Sequence, residues 1–351
     1  MQIHPQFRLN KQAYNQNRLR DQAHSWVKDG KEYERSMGQF FLDWLSPSRA
    51  IQIKTSGSTG TPKTIFIQKE NMVHSAKATG NYLSLEPHQT ALLCLTSEFI
   101  AGKMMLVRAM VLGLHITVVA ASSNPLENDA NSYDFAAMVP LQAQSTLSKL
   151  HQIKKLLIGG APISKLLRQQ LYKQPYSIYE TYGMTETITH IALKKVLLGH
   201  DYFEALPNVA IETDDRGCLV IQAPKISHTP IITNDLVAIK NKKQFKWLGR
   251  YDHVINSGGI KLIPEQIEEK LAQIITNRFF ITALPDQKLG DKAVLVVEGE
   301  FNVDELQRQI AQLTNLATYE RPKRIIAIPQ FIETKTAKVN RNKTVALIQV
   351  G

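Results

Sequence analysis

The stretch Thr55-Ser56-Gly57-Ser58-Thr59-Gly60-Thr61-Pro62-Lys63 lies between two runs that alternate like β-strands, residues 51–55 and 63–68. Glycines 57 and 60 let backbone N–H groups close around an anion. Hydroxyls at 55, 56, 58, 59 and 61 add donors, and Lys63 adds positive charge. The stretch is not the common P-loop, G-x-x-x-x-G-K-[ST], because Pro62 stands where that pattern needs a glycine. It reads as a phosphate-binding loop held between two strands.

Working outward from the loop, apolar strands alternate with helical segments. Lys69 to Leu83 has helical character, and residues 91–96 form an apolar strand. A helix follows over 102–113, then strands over 115–120 and 155–159, a helix from Ser164 to Tyr172, and a strand and turn over 176–183. This alternation predicts an α/β fold with a mainly parallel sheet. Residues 205–250 change to short alternating strands with turns at 214–217 and 241–243, which predicts a small β subdomain. Upstream, Trp26, Val27, Tyr33, Met37, Phe40 and Phe41 recur at helical spacing between Arg20 and Phe41, enough to finish a core.

A boundary falls near Arg250. Beyond it the pattern predicts a strand at 254–256, a Gly258-Gly259 turn and a helix at 264–274 opened by Pro264. Strands at 279–284 and 293–297, a helix at 303–313 and a strand at 324–328 complete a compact α+β unit. Two domains are therefore expected, 1–250 and 251–351.

Composition narrows the function classes. The chain has 351 residues, 43% of them hydrophobic and 21% charged, so wholesale disorder and fibrous repeats are excluded. No apolar run is long enough to span a membrane, and the polar, basic start lacks the apolar core of a secretory signal. The two cysteines, Cys94 and Cys218, are too few for a disulfide scaffold and are expected to be reduced in a cytoplasmic protein. The net charge of +11 sits almost wholly in the first 250 residues and is not blocked into long runs. An anionic small ligand accounts for it as well as a nucleic acid does.

Further motifs follow the loop in order. Gly159-Gly160-Ala161-Pro162 joins a strand to a helix, and its small residues would let a flat ring pack against the chain. Tyr182-Gly183-Met184-Thr185-Glu186 brings an aromatic ring, a hydroxyl and a carboxylate together within five residues. Asp235 stands in Thr233-Asn234-Asp235, directly after the strand-like Ile231-Ile232. Arg250 and Asp252 stand in Gly249-Arg250-Tyr251-Asp252-His253, followed by Ser257-Gly258-Gly259-Ile260-Lys261. Tyr319-Glu320-Arg321-Pro322-Lys323 and Thr334-Lys335-Thr336-Ala337-Lys338-Val339-Asn340-Arg341 close the set.

Taken together, these motifs resemble those of the adenylate-forming superfamily, which includes acyl-CoA synthetases, peptide-synthetase adenylation domains and luciferases. The resemblance runs from residue 55 to 341 and implies the superfamily's fold, with a shortened first subdomain. It also implies ATP and CoA as substrates, Mg²⁺ as cofactor, and a small carboxylic acid rather than nucleic acid as partner. By resemblance, Thr55, Ser56, Gly57, Ser58, Thr59, Gly60 and Lys63 hold the phosphates. Gly159, Gly160, Ala161, Pro162, Tyr182, Gly183 and Met184 meet the adenine. Thr185 contacts the α-phosphate, Glu186 the metal, Asp235 the ribose hydroxyls, and Arg250 the nucleotide. Asp252 is the hinge, Ser257, Gly258 and Gly259 serve the CoA step, and Lys338 catalyses adenylation. Two departures stand out: Asn234 and Ala337 replace family glycines.

The segment 95–109, with Phe99 at the family's histidine position, and residues 189–194 look like the short form of the o-succinylbenzoate–CoA ligases of menaquinone biosynthesis. That substrate has two carboxylates, and Lys103, Arg108 and His190 are candidates to meet the one not activated. Another aryl or fatty acid, or an amino acid, remains an alternative substrate at this point.

Overall fold

The computed structural model describes residues 3–54, 64–334 and 339–349. Ala50–Lys54 pairs antiparallel with Thr64–Gln68, from Ala50 opposite Gln68 to Lys54 opposite Thr64. Period-2 alternation sends Ile51, Ile53 and Ile67 into the core while Phe66 faces outward. The segment 55–63, with every phosphate-loop residue, lies outside the described residues.

The main sheet has a parallel half. Its strands run side by side in the order Ser177–Gly183, Ile153–Ile158, Tyr133–Met138, Thr90–Leu93, His115–Val118 and Arg8–Leu9. All six point the same way, so the ends of the first, second and fourth open onto one edge. Ligands of such sheets bind at that edge. The strand Tyr133–Met138 carries no turn signal or clean alternation and was not among those expected. It is buried between its neighbours, and Phe135, Ala136 and Met138 are all core.

The short strands expected over 205–250 are present, and they continue the same sheet. His190–Lys195 pairs antiparallel with Ser177–Gly183. Phe203–Ala205, Gln244–Arg250, Ile231–Asn241, Cys218–Gln222 and Ala210–Thr213 then follow in that spatial order.

The N-terminal segment folds as two helices, Gln16–Asp29 and Glu32–Leu45, rather than one continuous run. Gly30 ends the first with its N–H on the Trp26 carbonyl, and Glu34 caps the second by accepting from the Lys31 N–H. The helices meet where Gly38 passes the Ala23 carbonyl. A β-carbon at 38 would come within 2.8 Å of that oxygen. Phe40, Phe41 and Trp44 are fully buried in the main core. Each phenylalanine contributes about 1.5–3 kcal/mol by leaving water. Residues upstream of the hairpin thus complete both the sheet edge and the core.

Residues beyond Arg250 build a second sheet. Ile255–Ser257 and Ile260–Leu262 form a hairpin, and Gly290–Glu298 pairs with Phe279–Asp286 and Arg324–Ile328. The strand at 260–262, hidden in sequence by its shortness, follows directly on the expected Gly258-Gly259 turn. The helix opened by Pro264 runs Pro264–Leu271, and Ile267 and Leu271 enter a core of their own with Ile255, Leu295 and Leu306. No helix among the described residues is long and apolar enough to cross a membrane.

Candidate active site

At the open edge of the parallel strands, Ile153–Ile158 gives way to Gly159-Gly160-Ala161-Pro162. Gly160 has φ +84°, and its neighbours Ala161 and Pro162 are exposed. A β-carbon at Gly159 would stand 2.1 Å from the Thr181 hydroxyl. Residue 159 must therefore lack a side chain for the turn to pass the neighbouring strand. Ser164 caps the helix that follows by accepting from the Leu167 N–H at 3.2 Å.

The adjacent strand, Ser177–Gly183, delivers Tyr182 and then turns sharply. A β-carbon at Gly183 would meet the Thr189 carbonyl at 2.3 Å. The turn is held by the Thr187 hydroxyl, which accepts from the Met184 N–H at 2.9 Å and lies 2.6 Å from the Thr189 carbonyl. Ile188 is forced to φ +68°, a strained conformation for a β-branched residue. Thr185 and the exposed Glu186 occupy the tip. One carboxylate suits a magnesium ion that takes its remaining ligands from phosphates and water. Among the described residues no cluster of three or more His, Cys, Asp or Glu could hold a metal by itself.

Beneath the turn, Glu180 is buried between Arg168, at 2.6 Å, and Lys194, at 2.9 Å. Burial alone would raise its pKa, but Lys194 and Arg168 together outweigh it and hold the carboxyl below the usual range.

Asp235 comes from the other end of the sheet to meet Tyr182. The Tyr182 hydroxyl donates to Asp235 Oδ2 at 2.6 Å, and burial followed by the carboxylate raises the phenol's pKa. Trp247 Nε1 donates to Asp235 Oδ1 at 3.1 Å. Sequence reasoning passed over Trp247, whose only signal was its place three residues before Arg250. By the resemblance Asn234 takes the place of a family glycine, a residue that would suit a left-handed turn. It lies instead inside the strand Ile231–Asn241, where no such conformation arises, and its side chain accepts from Arg216 at 2.9 Å.

Arg250 lies opposite Asp235 in the ladder, with one nitrogen 3.6 Å from its carboxylate. Its fork is committed to Asp252, through Nε at 2.9 Å and Nη2 at 3.1 Å. Asp252 sits in the turn Tyr251–His253 that leads into the second sheet. There His253 Nδ1 lies 2.5 Å from Glu265. Gly249, at φ +154°, has no side chain to meet Glu265, whose carboxylate a β-carbon would approach at 2.4 Å. Gly258 and Gly259, at φ +57° and +82°, form the tight turn of the hairpin beside Ser257.

The four acid-side candidates are not equivalent. Phe99 precedes the helix Ile100–Leu112, and Lys103 folds back so that its ammonium donates to the Ser97 carbonyl and, at 3.2 Å, to that of Glu98. Arg108 is only 2% exposed, and its guanidinium donates to the Thr189 hydroxyl at 3.4 Å. Its Nε has no partner among the described residues, and burial pulls its pKa down to about 9. His190 is also buried, with Nε2 3.0 Å from the Thr79 hydroxyl. Burial and then Arg108 hold its pKa well below that of an ordinary histidine. It is therefore neutral at pH 7.

Lys338 and Ala337 lie outside the described residues. Their flanks are described: Glu333 bridges Val339, and Asn340 donates its N–H to the Ile332 carbonyl at 2.7 Å. Arg341 then reaches Glu268 at 2.8 Å.

The chain is similar to known proteins over most of its length. A family described as AMP-binding enzyme matches residues 28–209. The 2-succinylbenzoate–CoA ligase of Listeria monocytogenes is 25% identical over 340 residues, covering 86% of this chain and 70% of the relative. The ligase of the same name from Haemophilus influenzae is 27% identical, with 86% and 71% covered. A solved acyl-CoA synthetase (AMP-forming)/AMP-acid ligase II-like protein from Dyadobacter fermentans is 37% identical, with 93% of this chain and 97% of that one covered and a TM-score of 0.62. The o-succinylbenzoate CoA synthetase of Bacillus subtilis, solved with an acyl-adenylate intermediate, shares the fold at 20% identity and a TM-score of 0.74, with 83% and 68% covered. With more than half of its length matched, this chain belongs to the AMP-binding enzyme family.

Proposed function

We propose that the protein activates a carboxylic acid with ATP, releasing pyrophosphate, and passes the acyl group from the resulting adenylate to the thiol of CoA. The acid is 2-succinylbenzoate. The observation that carries the choice of acid is Arg108, a buried guanidinium with no carboxylate near it among the described residues. Burying an unpaired cation is costly, and a site keeps one where a ligand supplies the anion. A second carboxylate on the substrate answers that need, and the ligases named above act on such an acid. A fatty acid or a neutral amino acid side chain would leave Arg108 unpaired.

Each residue has a role in this reading. The 55–63 loop and Thr185 hold phosphate oxygens, and Glu186 faces the magnesium ion, which neutralises phosphate charge when bound. Gly159 to Pro162 and Tyr182 hold the adenine, and Asp235 accepts from the ribose. Lys338, a protonated amine, bridges the attacking carboxylate and the α-phosphate and offsets the repulsion between two anions. Residues 251–351 act as a mobile domain that swings about Asp252, withdrawing Lys338 and bringing Ser257 to Gly259 toward CoA. Two free buried cysteines and substrates of this kind suit the cytoplasm.

The test is thioester formation, read by mass spectrometry with ATP, Mg²⁺, CoA and a panel of acids. A strong preference for 2-succinylbenzoate is expected. Preference for an acid lacking a second carboxylate would overturn the substrate and leave the chemistry. No adenylate with any acid, from folded protein, would overturn both.

A further inference from the structure

We infer that Trp247 is a positioning residue for the nucleotide, its indole N–H holding the Asp235 carboxylate in the orientation that accepts the ribose hydroxyls. This rests on the adenylating role given above.

The contact is a product of strand register. In the antiparallel pair formed by Ile231–Asn241 and Gln244–Arg250, Asp235 faces Arg250 and Leu236 faces Gly249, but Val237 faces Trp247. Leu248 is an extra residue, and the pairing is bulged there. Without the bulge, residues three apart on a strand would point to opposite faces. With it, Trp247 and Arg250 share the face that carries Asp235.

The partners then divide the work. Trp247 Nε1 donates to Oδ1 at 3.1 Å, and the Tyr182 hydroxyl donates to Oδ2 at 2.6 Å from the opposite side. Arg250 is 3.6 Å away at its nearest nitrogen and spends its fork on Asp252. Two neutral donors on rigid rings, rather than the nearby cation, therefore set the carboxylate's direction. Tyr182 is itself braced by Phe245, with ring centroids 5.1 Å apart, and by Phe203 at 5.7 Å. The Thr233 hydroxyl accepts from the Asp235 N–H at 3.0 Å and fixes its backbone. A carboxylate offers about four lone-pair sites. One on each oxygen is used here, which leaves one on each for a vicinal diol.

The experiment compares binding of ATP and 2′-deoxy-ATP, by calorimetry with Mg²⁺, to the wild type, Trp247→Phe, Trp247→His and Asp235→Asn. Losing one hydrogen bond to a carboxylate corresponds to about tenfold in affinity. Trp247→Phe should therefore bind ATP about tenfold more weakly, while 2′-deoxy-ATP changes little, so that discrimination between the two collapses. Trp247→His, which restores an N–H, should recover part of it. Collapse in Asp235→Asn with full discrimination in Trp247→Phe overturns the inference. Undiminished discrimination in Asp235→Asn overturns the ribose role of Asp235 itself, a separate failure. If Trp247→Phe does not fold, wild-type tryptophan emission decides. A shift with ATP that is much smaller with 2′-deoxy-ATP supports the inference, and equal or absent shifts overturn it.

Discussion

Arg108 and His190 are joined through a single hydroxyl: Thr189 Oγ1 lies 3.4 Å from the guanidinium and 3.5 Å from His190 Nδ1. Both side chains are buried, and neither has a carboxylate partner among the described residues. The pair is a cation in waiting, and its cost to the fold is separable from its use to the substrate. Replacing Arg108 by Met should stabilise the protein by about 1–3 kcal/mol, since an unpaired buried charge is removed without leaving a large void. The same variant should raise the KM for 2-succinylbenzoate about a hundredfold while the KM for ATP holds. Denaturant titration and steady-state kinetics read the two effects. Loss of stability with an unchanged acid KM would remove Arg108 from the substrate site.

Arg341 follows Lys338 by three residues and is tied to the helix Pro264–Leu271 through Glu268 at 2.8 Å. That anchor fixes the described segment that follows residue 338 in the chain. Lys338→Ala should reduce adenylate formation by about 10²–10³-fold, the loss typical of one charge-stabilising group. It should still convert a supplied acyl-adenylate to the thioester. Arg341→Met should show the same split at about a tenfold smaller cost. Equal loss of both half-reactions in Lys338→Ala would sink the two-stage assignment.

Glu180 predicts an acid limit. Burial would raise its pKa, but Lys194 and Arg168 outweigh that and depress it below the value of the unfolded chain. The stabilisation is complete above the unfolded pKa, about 4.3. It is lost as pH falls through the lower folded value. Stability should therefore fall below about pH 4.3, and Glu180→Gln should flatten that fall. At pH 7 the same variant should lose about 2–4 kcal/mol, because two cations are left beside a neutral amide. Urea midpoints measured from pH 3 to 7 check the sign. An unchanged slope would show that Glu180 does not control the acid limb.

Two glycines separate steric need from backbone need. A β-carbon at Gly183 meets backbone atoms at 2.3 and 2.5 Å, whereas at Gly259 it meets nothing within 4 Å. Gly259→Ala should cost only the left-handed conformation, about 1–2 kcal/mol. Gly183→Ala should cost more, about 3 kcal/mol, because the turn must open. It should also weaken ATP binding by displacing Tyr182. Similar losses in both would mean that the turn at 183 relaxes freely.

Local sequence determined much of this protein. Alternation marked the hairpin flanking residues 55–63, and apolar strands between helices marked the parallel sheet. Paired glycines marked the turn at 258–259, and Pro264 marked a helix start. Each follows from backbone sterics and side-chain period, which act over a few residues. Motif order along the chain carried the family resemblance for the same reason, since each motif is a short turn with its own conformational demands.

Only the tertiary structure decided what lies far apart in the chain. The strand Tyr133–Met138 owes its state to neighbours on both sides, not to a pattern of its own. The meeting of Trp247 with Asp235 depends on one bulged residue, and a bulge is settled by the pairing of whole strands. Arg108 sits in the helix Ile100–Leu112, apolar nearly all round, whose sequence marks it as buried but not which groups its guanidinium meets. Burial and register are properties of the assembled sheet and core, and they brought in Trp247, which carries no evident sequence signal, and set Arg108 apart from the other two cationic candidates, Lys103 and His190.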